Sequence, residues 1–377
     1  MFVRILFLCL SVSSFYCCSG KVLESELAAS PTEKEGLPYF KEGLPYFDSS
    51  EIEDILRETE KTNSFTLLWF SDIHSDKSRL GRIVNFYELY SSSFNDLLHS
   101  GDNVDRQFDD GMSFWNEVIG TNRILNTIGN HDTASIINDS YDWKAKTGLQ
   151  CFRQYFEPYL TNWIDVVFPV DASTAGRCYY YKDYPSQGVR LVTLDCMAMD
   201  SSSPKYDSYQ LQWFEMVLTD ARIQSLSVLV NIHCAPKSEP IDCSFTSLLF
   251  DSNGLFAGGY GGEDAFVKVV DAFIDDGGEF ISWIAGDLHK DYIGYSRVAQ
   301  NKQVVLVTAC ALCSPFASLT MRRVENTPSE DAFNILMVDT KRKNIKLKRV
   351  GATIDIDLKS HSIVSYNYDD HVLIESR

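Results

Sequence analysis

Three stretches of this chain read as strands almost without a polar face. They are "FTLLWF" at 65–70, "LSVLVNI" at 226–232 and "EFISWIA" at 279–285. Side chains along a strand point alternately to opposite faces, so a nearly continuous apolar run has to be covered on both sides. That demand selects an α/β fold, with helices laid over sheets. Each run then stops abruptly. Ser71, Asp72, Ile73 and His74 follow the first, His233 the second, and Gly286, Asp287, Leu288 and His289 the third. Loops beyond strand ends are where folds of this class bind ligands. In extended chain, residues i and i+2 share a face, so Asp287 and His289 can aim at one spot.

The intervening sequence supplies the covering elements. Residues 49–61 read as a charged helix, 78–98 as a second helix, and 208–221 as a third, in which Leu211, Phe214, Val217 and Leu218 recur at helical spacing. Strands at 178–184 and 189–196 pair around a turn at 185–188, and a hairpin turns at 341–344. No linker interrupts this pattern, so residues 62–354 read as one domain, followed by a C-terminal tail at 355–377. Residues 1–20 read as a secretory signal: Arg4, an apolar run at 5–12, and small residues Cys18 and Gly20 at a cleavage site. An uncleaved N-terminal anchor is the alternative. The leader at 21–61 carries "KEGLPYF" twice in tandem, at 34–40 and 41–47. No stretch is long and apolar enough to be read as a membrane span. The expectation is a secreted or extracytoplasmic protein.

The net charge of -18 argues against a broad surface for nucleic acid or anionic membrane. It also means that an anionic substrate needs a local source of positive charge, which a bound cation supplies. Of ten cysteines, seven lie outside the signal, and an oxidising compartment favours pairing among them. Cys151 with Cys178, and Cys234 with Cys243, are the expected pairs. Cys310 and Cys313 read as structural.

Five stretches carry the chemistry: Asp72-Ile73-His74; Gly101-Asp102-Asn103-Val104-Asp105-Arg106; Gly129-Asn130-His131-Asp132; Ile232-His233; and Gly286-Asp287-Leu288-His289. Each alone is weak, since Gly-Asp marks turns and Asn-His-Asp can cap a helix. Together they are five strand-end loops presenting oxygen and imidazole donors, which suit first-row divalent metals. In this order the set resembles the calcineurin-like metallophosphoesterases.

That resemblance implies a four-layer α/β-β/α sandwich, with two central mixed sheets flanked by helices. It implies two divalent metal ions, Mn, Fe or Zn. Asp72, His74, Asp102 and His289 would hold the first; Asp102, Asn130, His233 and Asp287 would hold the second. A water acidified between the ions would attack phosphorus. His131 would protonate the leaving oxygen, oriented by Asp105, with Asp132 a weaker candidate for that role. Arg106 would grip a phosphate oxygen, a surface salt bridge being its other reading. His99 reads as structural. The implied function is hydrolysis of a small phosphate ester, mono- or diester. The chain departs from the family at Asp287, which stands where a histidine is usual. A carboxylate there favours a harder second ion, Mn or Fe. The alternative is a non-catalytic or single-metal binding protein on the same scaffold. The glycine-rich stretch at 254–264 reads either as a flap or as a surface loop.

Overall fold

The apolar runs pair into two sheets in the computed structural model of the chain. The structure describes residues 44–45, 49–104, 124–137, 140–142, 146–163, 165–197, 207–234, 239–240, 263–287, 292–297, 303–308, 330–351, 363–370 and 372–376. Apart from Leu44 and Pro45, the tandem repeat lies outside them, as do the signal, the glycine-rich stretch up to 262, and Cys243, Cys310 and Cys313.

The first sheet runs in the order Val372–Ser376, Ile363–Asn367, Asn344–Gly351, Ala332–Asp339, Phe65–Phe70, Asp96–His99, Ile124–Asn126. Its last three strands are mutually parallel and the others antiparallel. The second runs Glu239–Pro240, Tyr292–Arg297, Gln303–Thr308, Phe280–Ala285, Ser227–Ile232, Val189–Thr193, Tyr180–Tyr184, Val166–Val167. Its middle four strands are parallel.

Alternation along the strands divides the core, with a register shift between Phe280 and Ser282 changing its phase in the strand Phe280–Ala285. Leu191, Leu229, Ile281 and Ile284 of the second sheet join Leu67, Leu97 and Phe333 of the first in one buried cluster. Their neighbours Val192, Val228, Val230 and Trp283 face the other way. They pack with Phe214 and Val217 of helix Ser208–Ile223 and with Phe266 and Val270 of helix Glu263–Asp275. Helices Ser49–Thr62 and Lys77–Leu89 add Ile52, Leu56, Leu80 and Ile83 to the first cluster. The result is a four-layer sandwich of helices, sheet, sheet and helices.

The structure differs from the sequence reading in three places. The helix expected over 78–98 is Lys77–Leu89, capped by the Asp76 carboxylate, which accepts from Arg79 N–H at 3.0 Å. Ser91, Ser92 and Ser93 end it in a 3-10 turn, because serine hydroxyls compete for backbone groups. Asp96–His99 is then a strand beside Phe65–Phe70. Within the expected tail, Ile363–Asn367 and Val372–Ser376 are strands that extend the first sheet. Cys151 and Cys178 are not bridged; both are buried free thiols, and Cys178 Sγ–H points at Gly148 O, 3.5 Å away.

A buried ion pair also joins the sheets. Lys182 Nζ, on the second, lies 2.5 Å from Asp96 Oδ2 on the first, and Tyr184 Oη–H donates to the same oxygen at 2.5 Å. Removing one member of such a pair leaves a charge in low dielectric. Lys182→Met should therefore lower the urea-unfolding free energy by about 3–5 kcal/mol. Tyr184→Phe, which removes one hydrogen bond, should cost about 1–3 kcal/mol. Equal losses in the two variants would show that the charge pair is not the dominant tie.

Candidate metal centre

The parallel strands of both sheets end at the same place. From the first sheet, Phe65–Phe70 delivers Asp72 and His74, Asp96–His99 delivers Asp102, and Ile124–Asn126 delivers Asn130 and His131. From the second, Ser227–Ile232 delivers His233 and Phe280–Ala285 delivers Asp287. The loops turn sharply as they leave the sheets. Asp72, His74, Ser75, Asp102 and Asp287 have φ of 55°, 46°, 64°, 58° and 66°. This left-handed region is unfavourable for side-chain-bearing residues, and such strain gathers at functional sites.

Backbone hydrogen bonds zip the first two loops together. Asp72 N–H donates to Gly101 O at 3.0 Å, His74 N–H to Asp102 O at 3.1 Å, and Ser75 N–H to Asn103 O at 3.0 Å. Asp287 N–H donates across the sheets to Asp72 Oδ1 at 3.2 Å. Two glycines permit the close approach. A Cβ on Gly101, whose φ is 89°, would lie 2.6 Å from His233 Nδ1; one on Gly129 would lie 2.1 Å from Asp102 Oδ1.

The side chains converge. Ligand atoms of Asp72, Asp102 and His233 lie within 4.8 Å of one another; so do those of His74, Asp102 and His131, and those of His233, Cys234 and Asp287. Asp102 belongs to two of these sets through different oxygens. Its Oδ1 is 3.3 Å from His233 Nε2, while its Oδ2 is 3.7 Å from His74 Nε2 and 3.8 Å from His131 Nε2. A carboxylate facing two groups in this way can bridge two cations.

The donor set fits divalent metal. Asp102 Oδ2 is buried and accepts no hydrogen bond among the described residues. His233 Nδ1–H donates to Ser100 O at 2.6 Å, so the neutral ring presents its Nε2 lone pair. That lone pair faces Asn130 Oδ1 at 3.0 Å, Asp102 Oδ1 at 3.3 Å and Asp287 Oδ1 at 3.7 Å. Acceptors gathered in this way need either a second proton on His233 or a cation among them. Burial opposes charge on His233, yet the carboxylates of Asp102, Asp72 and Asp287 raise its proton affinity well above the ordinary value. Burial likewise works against ionised Asp102, but His233, His131 and His74 outweigh it and hold the carboxyl far below the usual range. Both shifts express a demand for positive charge at one point.

Of the expected ligands, Asp72, His74, Asp102, Asn130, His233 and Asp287 come together here; His289, Asp105 and Arg106 lie outside the described residues. His131 stands against His74, ring centroids 4.5 Å apart, and its ligand atom lies within 4.8 Å of those of His74 and Asp102. Asp132 does something other than orient His131. Its Oδ2 accepts from Gly129 N–H at 2.8 Å, Asp102 N–H at 3.1 Å and Asn103 Nδ2–H at 2.9 Å; its Oδ1 accepts from Asn103 N–H at 2.9 Å and Val104 N–H at 3.2 Å. Burial and the Asp102 charge push this carboxyl up to about 6, while the Gly129 N–H and the Asn103 side chain pull it down. Five donors and no acceptor around it favour the ionised form. Asp132 thus locks the Asp102 loop to the Asn130 turn. His99 is buried below the site, its Nδ1–H on Asn126 Oδ1 at 2.9 Å, and burial holds it neutral at about 4.

A hydrogen-bond chain beneath the ligands escaped the sequence reading. Trp69 Nε1–H donates to Ser100 Oγ at 2.7 Å, and Ser100 Oγ–H donates to Asn231 Oδ1 at 2.5 Å, from one sheet to the other. Ser100 O also receives His233 Nδ1–H, so this chain sets the imidazole's tautomer. Its one trace in the sequence is Asn231, a buried amide in an apolar strand.

The model of the calcineurin-like phosphoesterase family matches residues 65–255, just over half of the chain. No curated protein sequence matches. Among solved structures, a dimetal phosphatase of Danio rerio is 14% identical with a TM-score of 0.50, over 81% of this chain and 99% of that one. A Thermus thermophilus protein is 10% identical, with a TM-score of 0.39, over 76% and 99%. At 14% identity the likeness to the Danio rerio structure is one of fold.

Gly129→Ala tests the close approach. The added methyl should displace Asp102 and abolish tight metal binding, read by elemental analysis, with far-UV circular dichroism unchanged. Full metal content in that variant would show that Asp102 is not a ligand.

Proposed function

The chain belongs to the calcineurin-like phosphoesterase family, and from that premise we propose that it hydrolyses small phosphate esters at a centre of two divalent metal ions. The observation that carries this reading is the convergence of Asn130 Oδ1, Asp102 Oδ1 and His233 Nε2 within hydrogen-bonding range, with no proton to share when His233 is neutral. Asp72, His74 and Asp102 would hold the first ion, completed by His289; Asp102, Asn130, His233 and Asp287 would hold the second. Divalent ions at such a site supply Lewis acidity: they polarise the phosphoryl oxygens and acidify a water.

The chain's own groups do the rest. His131 is fixed by its backbone N–H, which donates to Asp102 Oδ1 at 2.9 Å. Its ring tip lies next to the ligands, where it can hand a proton to the departing ester oxygen. By the family resemblance, Asp105 would orient that ring and Arg106 would grip a phosphate oxygen. Asp132 keeps Asp102 and His131 in one rigid unit, so that acceptor and proton donor stay in register. Ser100 keeps Nδ1–H of His233 occupied. Asp287 stands with the other donors, which supports a filled second position over a single-ion binding protein. Export, as read from residues 1–20, belongs to the same proposal.

Two measurements test this. Nitrophenyl phosphate and bis-nitrophenyl phosphate should be turned over with Mn, Fe or Zn present and spared with EDTA. His131→Ala should lower turnover by about 10²–10⁴-fold while metal content holds. Turnover that survives EDTA, or none with any metal, overturns the enzyme. Elemental analysis should find two ions per chain, and one in Asp287→Ala. One ion in both proteins would leave the second site unsupported.

A further inference from the structure

Cys196 and Cys234 take no part in the proposed chemistry, yet they stand beside it. Thr193 and Asn231 are partners in the parallel ladder of strands Val189–Thr193 and Ser227–Ile232. Each cysteine lies three residues beyond its member of that pair. The two strand-end loops therefore carry their thiols to the same level, with Sγ atoms 3.1 Å apart. Two sulfur atoms in ordinary contact stay about 3.6 Å apart, so this is closer than packing alone brings them. Cys196 is fully buried, its other polar neighbour being Ile128 O at 3.7 Å, whereas Cys234 is partly accessible.

The geometry points to a Cys196–Cys234 disulfide as a covalent modification of the mature protein, bracing the loop that carries His233. Chain export as read from residues 1–20 would supply the oxidising surroundings. The oxidant is a small-molecule disulfide. The Cys234 thiolate, being the reachable one, attacks it to form a mixed disulfide and expels one thiolate. The Cys196 thiolate then attacks Cys234 Sγ and expels the second. Two thiol protons leave to solvent. The protein loses two electrons and the oxidant, reduced to two thiols, gains them.

The pair is distinct from the expected Cys234–Cys243 pairing, and the two exclude each other. Peptide mapping decides between them. The full chain is incubated overnight with glutathione disulfide at mildly alkaline pH, alkylated without reduction, digested and weighed. A peptide linking Cys196 to Cys234, lighter by two hydrogen atoms than the separate thiol peptides, is the expected result. Cys151 and Cys178, which are free thiols with no sulfur–sulfur contact of this kind among the described residues, should carry the alkyl group once the protein is unfolded. A Cys234–Cys243 peptide, or alkyl groups on both Cys196 and Cys234, overturns the inference. So does protection of Cys234 that EDTA abolishes with no linked peptide, which would make the thiol a metal ligand. Bracing has its own readout. Reduction should lower the melting midpoint of the wild type by about 5 °C. It should not shift that of Cys196→Ser/Cys234→Ser. An equal shift in both proteins would refute the brace even with the bond present.

Discussion

A carboxylate taken out of water costs several kcal/mol unless its surroundings return that energy, and Asp102 is such a carboxylate at the centre of this fold. An imidazolium on His233, 3.3 Å from Oδ1, returns about 5 kcal/mol at an effective dielectric of about 20. That roughly offsets the desolvation of Asp102. A doubly charged cation at a similar distance returns about twice as much. On the Coulomb interaction alone, a divalent ion is the stronger partner for Asp102. This interaction also explains why so much of the local structure holds Asp102 still. Its N–H is bound by Asp132, its C=O receives His74 N–H, and its Oδ1 receives His131 N–H.

Holding the ligands is a task shared between the sheets, because neither delivers enough of them. Three of the five strand ends belong to the first sheet and two to the second. Polar links cross the gap close to the ligands: Ser100 to Asn231, His233 to Ser100 O, Asp287 N–H to Asp72, and Thr127 Oγ1–H to Leu194 O at 2.6 Å. Farther down the gap Leu67, Leu229 and Ile281 pack as an apolar core. The hydrophobic layer brings the sheets together without direction, and the polar links set their relative register.

How much of this the sequence revealed follows from the range of each interaction. The apolar strands at 65–70, 227–232 and 280–285 were legible because burial on both faces writes an unbroken local pattern. The proposed ligands at 72, 74, 233 and 287 could be picked out because Asp and His sit just after those strands, and the glycines at 101 and 129 mark close contact. Asp96–His99 was missed because four residues carry too little periodicity to separate a strand from the end of a helix. Ser100 and the role of Asp132 were missed because each depends on neighbours 28 to 133 residues away. The strands at 363–367 and 372–376 lie on the sheet's edge, where one covered face leaves a weaker pattern.

The substitution of carboxylate for imidazole at 287 then acquires a physical reading. Position 287 is a left-handed turn residue with φ of 66°, a conformation that Asp tolerates better than most residues. Its backbone N–H is given to Asp72 Oδ1, so the main chain fixes its place, and its carboxylate lies 3.7 Å from His233 Nε2. Asp there makes a third carboxylate, with Asp72 and Asp102, acting on the one imidazole of His233. Each added anionic oxygen strengthens attraction for any cation while making the site harder and less selective for Zn. The frame of the proposed site at this position is the main chain, through the Asp287 N–H held by Asp72.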